Sequence, residues 1–130
     1  MTKKLELYKC DICGNVIQVV LDGTGELVCC GKSMKLLQEQ YASSDISEKH
    51  VPEISDYNEN YKKITVYKHP MQKEHYIEFI EAYSKEKGEV YLKYLKPENK
   101  AEFITPKSED LISREHCNIH GLWGNQFSEK

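Results

Sequence analysis

Four of the five cysteines in this 130-residue chain stand in its first thirty positions, as Cys10-Asp-Ile-Cys13 and the adjacent pair Cys29-Cys30. The fifth, Cys117, lies far downstream, and an odd count rules out complete internal disulfide pairing. The stretch around the four is short. LELYKC alternates as a strand, DICGN turns at Gly14 and Asn15, and VIQVVL is a β-branched run; DGTG marks a tight turn, ELVCCG returns, and SMKLL closes the unit at about residue 38. So small a unit rarely buries enough apolar surface to fold alone and needs a metal, disulfides or a partner chain. Two residues between Cys10 and Cys13 let both sulfurs face one ion while the intervening amides donate to sulfur. Gly14 follows, where a tight turn calls for positive φ. Four thiolates suit tetrahedral zinc or iron, and ligand type does not choose between them. Cys-x-x-Cys also serves thioredoxin-like redox chemistry, but no βαβ pattern surrounds it here. Cys29 and Cys30 have no spacer. Neighbouring side chains diverge in an extended backbone, so this pair is expected to strain the tetrahedron.

Beyond this unit the chain reads as β structure. Residues 39–49, EQYASSDISEK, are polar and poor in aliphatics, and are expected to form a linker or an irregular crossover. YKKITVYK (61–68), HYIEFIEAY (75–83), EVYLKYL (89–95) and AEFIT (101–105) are short segments rich in Tyr, Ile, Val and Phe, separated by HPMQK, KEKG, KPENK and PKSED. Such spacing predicts a β-sandwich or barrel. HYIEFIEAY also fits one or two turns of amphipathic helix, but its aromatic and β-branched content favours a strand. The 30% charged and 39% hydrophobic content describes a soluble chain with a modest core. No apolar run approaches the roughly 18 residues of a membrane span. The lysines of MTKKLELYKC have no apolar stretch behind them, so this is not a signal peptide and a cytoplasmic location is expected. In a reducing cytoplasm cysteines serve metal or redox chemistry rather than disulfides. A net charge of −3 gives no reason to expect nucleic acid or a membrane as partner.

All five histidines follow the cysteine cluster: His50 in SEKHVPE, His69 and His75 in KHPMQKEHYIE, His116 and His120 in HCNIHG around Cys117. Cysteines first and histidines later suggest two separate sites. Any one of these is weak evidence, since a lone His in a β protein is more often a surface or core residue than a ligand. If residues 114–117 are extended, His116 faces away from whatever Cys117 binds and is not a ligand. Cys117 with His120 three residues on is also the spacing of a nucleophile and its base, but no orienting third group or oxyanion-hole signature accompanies it.

YKCDICGN…GELVCCGKSMKLL resembles desulforedoxin. EKHVP, then HPM with His-Tyr-Ile six residues on, then Cys-Asn-x-His-Gly with a Trp just after, resemble the superoxide reductase domain of desulfoferrodoxin. Together the resemblance covers almost the whole chain and implies an all-β, two-iron desulfoferrodoxin. It implies a desulforedoxin-like domain over 1–38 with one iron on Cys10, Cys13, Cys29 and Cys30. A linker over 39–49 then leads to an immunoglobulin-like β-sandwich over 50–130. It places a second iron in the plane of His50, His69, His75 and His120, with Cys117 as axial thiolate and the sixth position open or taken by Glu48 in the oxidised state. The implied activity is one-electron reduction of superoxide to hydrogen peroxide, with the thiolate pushing electron density toward the bound oxygen species. Lys49 steers the anion and helps deliver a proton, and Glu48 helps displace peroxide. Rubredoxin or a similar small protein is the implied electron donor, and a homodimer the implied assembly. A plain electron carrier working through the four-cysteine iron is the alternative. A zinc-stabilised binding module is disfavoured by the dispersed set of four histidines and one cysteine. Relatives commonly carry Tyr where this chain has His116. The amides of Asn118 and Ile119 are expected to bond to the Cys117 sulfur, Gly121 to serve a turn, and Trp123 to pack in the core or against the site.

Overall fold

A computed structural model describes residues 1–41 and 49–125. These residues form strands, turns and loops with no helix, and the chain divides into two compact units, Met1–Gln38 and Glu39–Lys130.

In the first unit β1 (Leu7–Lys9) is the middle strand of a three-stranded antiparallel sheet, between β2 (Val16–Gln18) and β5 (Lys35–Leu36). A two-stranded ribbon joins β3 (Val28–Cys29) to β4 (Lys32–Ser33). Leu7, Val19 and Cys10 are its only buried hydrophobic residues among those described, while Ile12, Val20, Leu21 and Val28 are exposed. So small a core matches the expectation of a unit that needs a metal, disulfides or a partner chain to fold.

The second unit packs two antiparallel sheets face to face. One has the order β10-β7-β6, from β6 (Glu53–Asp56), β7 (Tyr61–Thr65) and β10 (Glu102–Pro106); the other has the order β12-β11-β8-β9, from β8 (Ile77–Ser84), β9 (Glu89–Tyr94), β11 (Ile112–Cys117) and β12 (Gly121–Gly124). Ile64 and Val66 meet Ile77, Ile80 and Ala82 between the sheets, with Leu95, Ala101 and Leu111 closing the core. This is the sandwich expected from the spacing of the apolar runs. Apart from its first two residues, HYIEFIEAY is in the long strand β8, because its main chain is paired on both sides, to β11 and to β9.

Strands β6, β11 and β12 were not legible. ISREHC is mostly polar, yet Ser113, Arg114, Glu115, His116 and Cys117 are all buried. Glu39, Gln40 and Tyr41, assigned from sequence to the linker, are tied to the second unit. Gln40 bridges Trp123 in parallel, donating from its amide to the Leu122 carbonyl (3.0 Å) and accepting from the Gly124 amide (2.9 Å). A Cβ on Gly124 would come within 2.9 Å of the Tyr41 ring, so glycine permits this approach. The rest of that segment, including Glu48, lies outside the described residues. Among the described residues no helix is long and apolar enough to cross a membrane.

Candidate metal centres

The first cluster is built by two turns. After β1 the chain reverses, with the Gly14 amide donating to the Cys10 carbonyl and the Cys10 amide to the Asn15 carbonyl, both at 2.9 Å. Gly14 has φ +84°, the conformation its turn was expected to need. The second turn links β3 to β4. Cys30 is left-handed there, with φ +53°, and Gly31 follows at +75°. This corrects the expectation that Cys29 and Cys30 diverge. A left-handed residue breaks the extended alternation, so their sulfurs lie 3.9 Å apart on one side. The ligand atoms of Cys10, Cys13, Cys29 and Cys30 all lie within 4.8 Å of one another. The amides of Cys13 and Ile12 donate to the Cys10 sulfur and hold that thiol down at about 6. Crowding by the Cys13, Cys10 and Cys29 sulfurs pushes Cys30 up to about 12. Four sulfurs this close resist a second negative charge, and a cation in their midst removes that resistance.

The second cluster gathers side chains from one end of the sandwich. His50 precedes β6, His69 and His75 lie between β7 and β8, Cys117 ends β11, and His120 lies in the turn before β12. The four imidazoles form a near-square. Centroids of successive rings are 4.6 Å apart for His50–His69, 4.7 Å for His69–His75, 4.9 Å for His75–His120 and 4.8 Å for His120–His50, while the His50–His75 diagonal is 6.3 Å. The Cys117 sulfur lies 3.2 Å from His69 Nε2 and 3.9 Å from His120 Nδ1. Two overlapping donor sets, His50–His69–Cys117 and His50–His75–His120, each hold their ligand atoms within 4.8 Å.

The electrostatics suit a cation. Burial, then the neighbouring His69, His120 and His75, hold His50 down at about 4; burial, opposed by a bond to the Pro70 carbonyl, holds His69 at about 4 as well. Burial also lowers His75. Neutral imidazoles offer lone pairs. His69 donates Nδ1–H to the Pro70 carbonyl at 2.6 Å, which leaves Nε2 as the free donor atom facing sulfur. His75 Nε2 is buried and has no hydrogen-bond partner among the described residues. A group that accepts imidazole and thiolate lone pairs therefore fits here, and a metal ion is such a group. Burial raises the Cys117 thiol, opposed by the amides of His120 and Ile119. The His120 amide donates to the sulfur at 3.4 Å. The Asn118 amide, expected to do the same, donates instead to the Tyr76 carbonyl at 3.1 Å.

Around these groups Gly121 takes φ +84° in the turn. His116 points elsewhere: its ring stacks on Phe79 at 5.5 Å and its Nδ1 meets Glu78 Oε1 at 2.8 Å. Lys49 is exposed, and its charge acts to lower both His50 and His75. Glu48, expected as an occasional ligand, is outside the described residues. Glu115 was missed from sequence. Burial pushes its carboxyl up to about 9, and its Oε2 lies 3.5 Å from His50 Nδ1, a contact rather than a full hydrogen bond. Its position two residues before Cys117 on a strand was the available signal, since i and i+2 share a face.

Fold and clusters together describe an all-β protein with two candidate metal-binding clusters, one of cysteines alone and one of histidines with a cysteine. The chain belongs to the desulfoferrodoxin family: the model for the desulfoferrodoxin N-terminal domain matches residues 2–37 and that for desulfoferrodoxin matches 42–126. It is 47% identical to a desulfoferrodoxin homolog of Archaeoglobus fulgidus, covering 95% of this chain and 98% of the relative. It is 43% identical to a desulfoferrodoxin of Syntrophotalea carbinolica, covering 97% and 99%. The crystal structure of the superoxide reductase from Treponema pallidum superposes with a TM-score of 0.73 at 19% identity, covering 96% of this chain and all of that one, a likeness of fold.

Proposed function

We propose that this chain is a superoxide reductase carrying two irons. One is held by Cys10, Cys13, Cys29 and Cys30, and the other by His50, His69, His75, His120 and Cys117. The observation that carries this reading is the near-square of four imidazoles with the Cys117 sulfur beside it. Iron held by these residues would supply the one electron the reaction needs. The four imidazoles hold the metal without adding negative charge beside an anionic substrate. Cys117 supplies the single anionic donor, and the His120 and Ile119 amides temper its charge. Lys49 gives the overall negative chain a local positive field that draws superoxide in and holds a proton source near the site. The products balance as superoxide plus one electron and two protons giving hydrogen peroxide. In the same reading rubredoxin or a similar small protein returns the electron, and the reaction runs in the cytoplasm. Two chains associate as a homodimer through their first units, where Val20 and Leu21 are 74% and 75% exposed.

The test is metal content and turnover of the full chain. Protein loaded anaerobically should bind two irons and convert pulse-generated superoxide to peroxide without releasing dioxygen from it. Cys117→Ser should lose the fast reaction while keeping the spectrum of the four-cysteine iron. Full activity in Cys117→Ser, or dioxygen as a product, rejects the proposal.

A further inference from the structure

The side chain of Asn118 completes the hydrogen bonding of the loop that carries His75. Strands β11 and β8 pair regularly from Ile112 to His116, and the register then shifts between His116 and Cys117. A bulge leaves main-chain groups without their ladder partners. The groups past this one are on the loop that carries His75. Asn118 serves them with three bonds: its amide donates to the Tyr76 carbonyl (3.1 Å), its Oδ1 accepts from the Tyr76 amide (3.0 Å), and its Nδ2 donates to the Glu74 carbonyl (3.1 Å). The carboxamide thus replaces a missing peptide unit, presenting an acceptor and a donor in one plane. Those bonds bracket His75 on both sides. His75 itself exchanges both main-chain bonds with Gln72, at 3.0 and 3.1 Å.

We propose that Asn118 is a positioning residue that fixes His75 relative to Cys117. It shares a peptide bond with Cys117 and grips both peptides flanking His75, so it sets how one imidazole stands to the sulfur. This rests on the reading of the second cluster as a metal centre. A matched comparison exists at the other end of β11, where Asn125, just past β12, accepts from the Ser113 amide at 3.0 Å and donates its own amide to the Ser113 carbonyl at 3.0 Å.

The experiment titrates ferrous ion anaerobically into the metal-free full chain against a chelator, following each centre after oxidation by its own thiolate-to-iron absorption band. Asn118→Ala should weaken iron binding at the second centre by about 10- to 100-fold and shift that centre's band, with faster hydrogen exchange at the Tyr76 amide. Asn125→Ala should leave both bands and both affinities as they are. If Asn118→Ala does not fold, Asn118→Asp, which retains only the Oδ1 acceptor, should show the same changes. Unchanged affinity and band in Asn118→Ala, or equal losses in Asn125→Ala, overturn the inference, provided His75→Ala weakens the centre. Unchanged binding in His75→Ala overturns the metal reading itself.

Discussion

The indole of Trp123 lies nearly flat on the imidazole of His50, ring centroids 4.7 Å apart and planes 11° from parallel, and its Nε1–H donates to the His120 carbonyl at 3.1 Å. One buried side chain therefore braces two candidate ligands from different loops. Trp123→Phe retains a stacking ring and loses the donor, and should lower stability by about 0.5–1.5 kcal/mol with a small change at the second centre. Trp123→Ala should lower it by about 3–5 kcal/mol and weaken metal at that centre, while the four-cysteine centre keeps its spectrum. Denaturant melts and metal titration of both variants check this.

Arg114 is clamped between two carboxylates on β11's other face. It donates from Nε to Glu81 Oε1 at 2.7 Å and from Nη1 to Glu39 Oε1 at 2.9 Å, with side chains only 3%, 1% and 8% exposed. Removing only the guanidinium strands buried negative charge. Arg114→Met should destabilise the second unit by about 3–5 kcal/mol, whereas replacing all three residues by apolar ones of similar volume should recover most of that loss. A triple variant as unstable as the single one would contradict this. The same clamp anchors the segment from which Gln40 Nε2 reaches the His120 carbonyl at 2.7 Å.

These two cases show where the sequence was legible. Apolar alternation revealed β7, β8, β9 and β10, because each carries residues of the sandwich core. It did not reveal β11, whose Arg114, Glu115 and His116 look hydrophilic. The burial of Arg114 and His116 is made tolerable by partners distant in sequence, Glu81 and Glu39 for the first and Glu78 and Phe79 for the second, and no local window contains those. The ligand candidates were legible by residue type and motif, and the structure draws them into two clusters. Their supports, Glu115, Asn118 and Gln40, were not, because a supporting role depends on what a side chain touches across the fold. The left-handed turn at Cys30 was hidden for a related reason: Gly31 marks a turn but not which neighbour bends with it.

In the metal-stripped protein, the buried ionisable groups of the second unit should give that unit a stability maximum in pH. His50 and His69 are held at about 4, below their ordinary 6.5. Between those values the unfolded chain takes up protons and the folded chain does not, so stability is full above pH 6.5 and is lost as pH falls toward 4. Glu115 acts in the opposite sense. Burial raises it from 4.5 to about 9, so its contribution is full below 4.5 and declines as pH rises toward 9. The melting temperature of the second unit, which does not contain Cys10 and its depressed thiol, should therefore climb from pH 4 to about 6.5 and fall beyond it, and Glu115→Gln should flatten the alkaline limb alone. An alkaline limb unchanged in Glu115→Gln would show that another group produces it.

In the proposed reaction, Lys49 is expected to bear on rate rather than binding geometry. The chain is net negative and its proposed substrate is an anion, so the average field opposes encounter. Lys49 is exposed beside His50, and its charge reaches both His50 and His75. A local field of this kind raises association rates and is screened by salt within a Debye length of about 10 Å at 0.1 M. Lys49→Ala should therefore slow the second-order consumption of superoxide by about 10-fold at low ionic strength, and the gap to the parent should close as salt is added. Lys49→Arg, which keeps the charge, should retain most of the rate. A difference that persisted at high salt would assign Lys49 to proton delivery, since a steering charge is screened and a proton donor at the site is not. An unchanged rate in Lys49→Ala would remove Lys49 from both roles and leave the attraction to the metal centre's own positive charge.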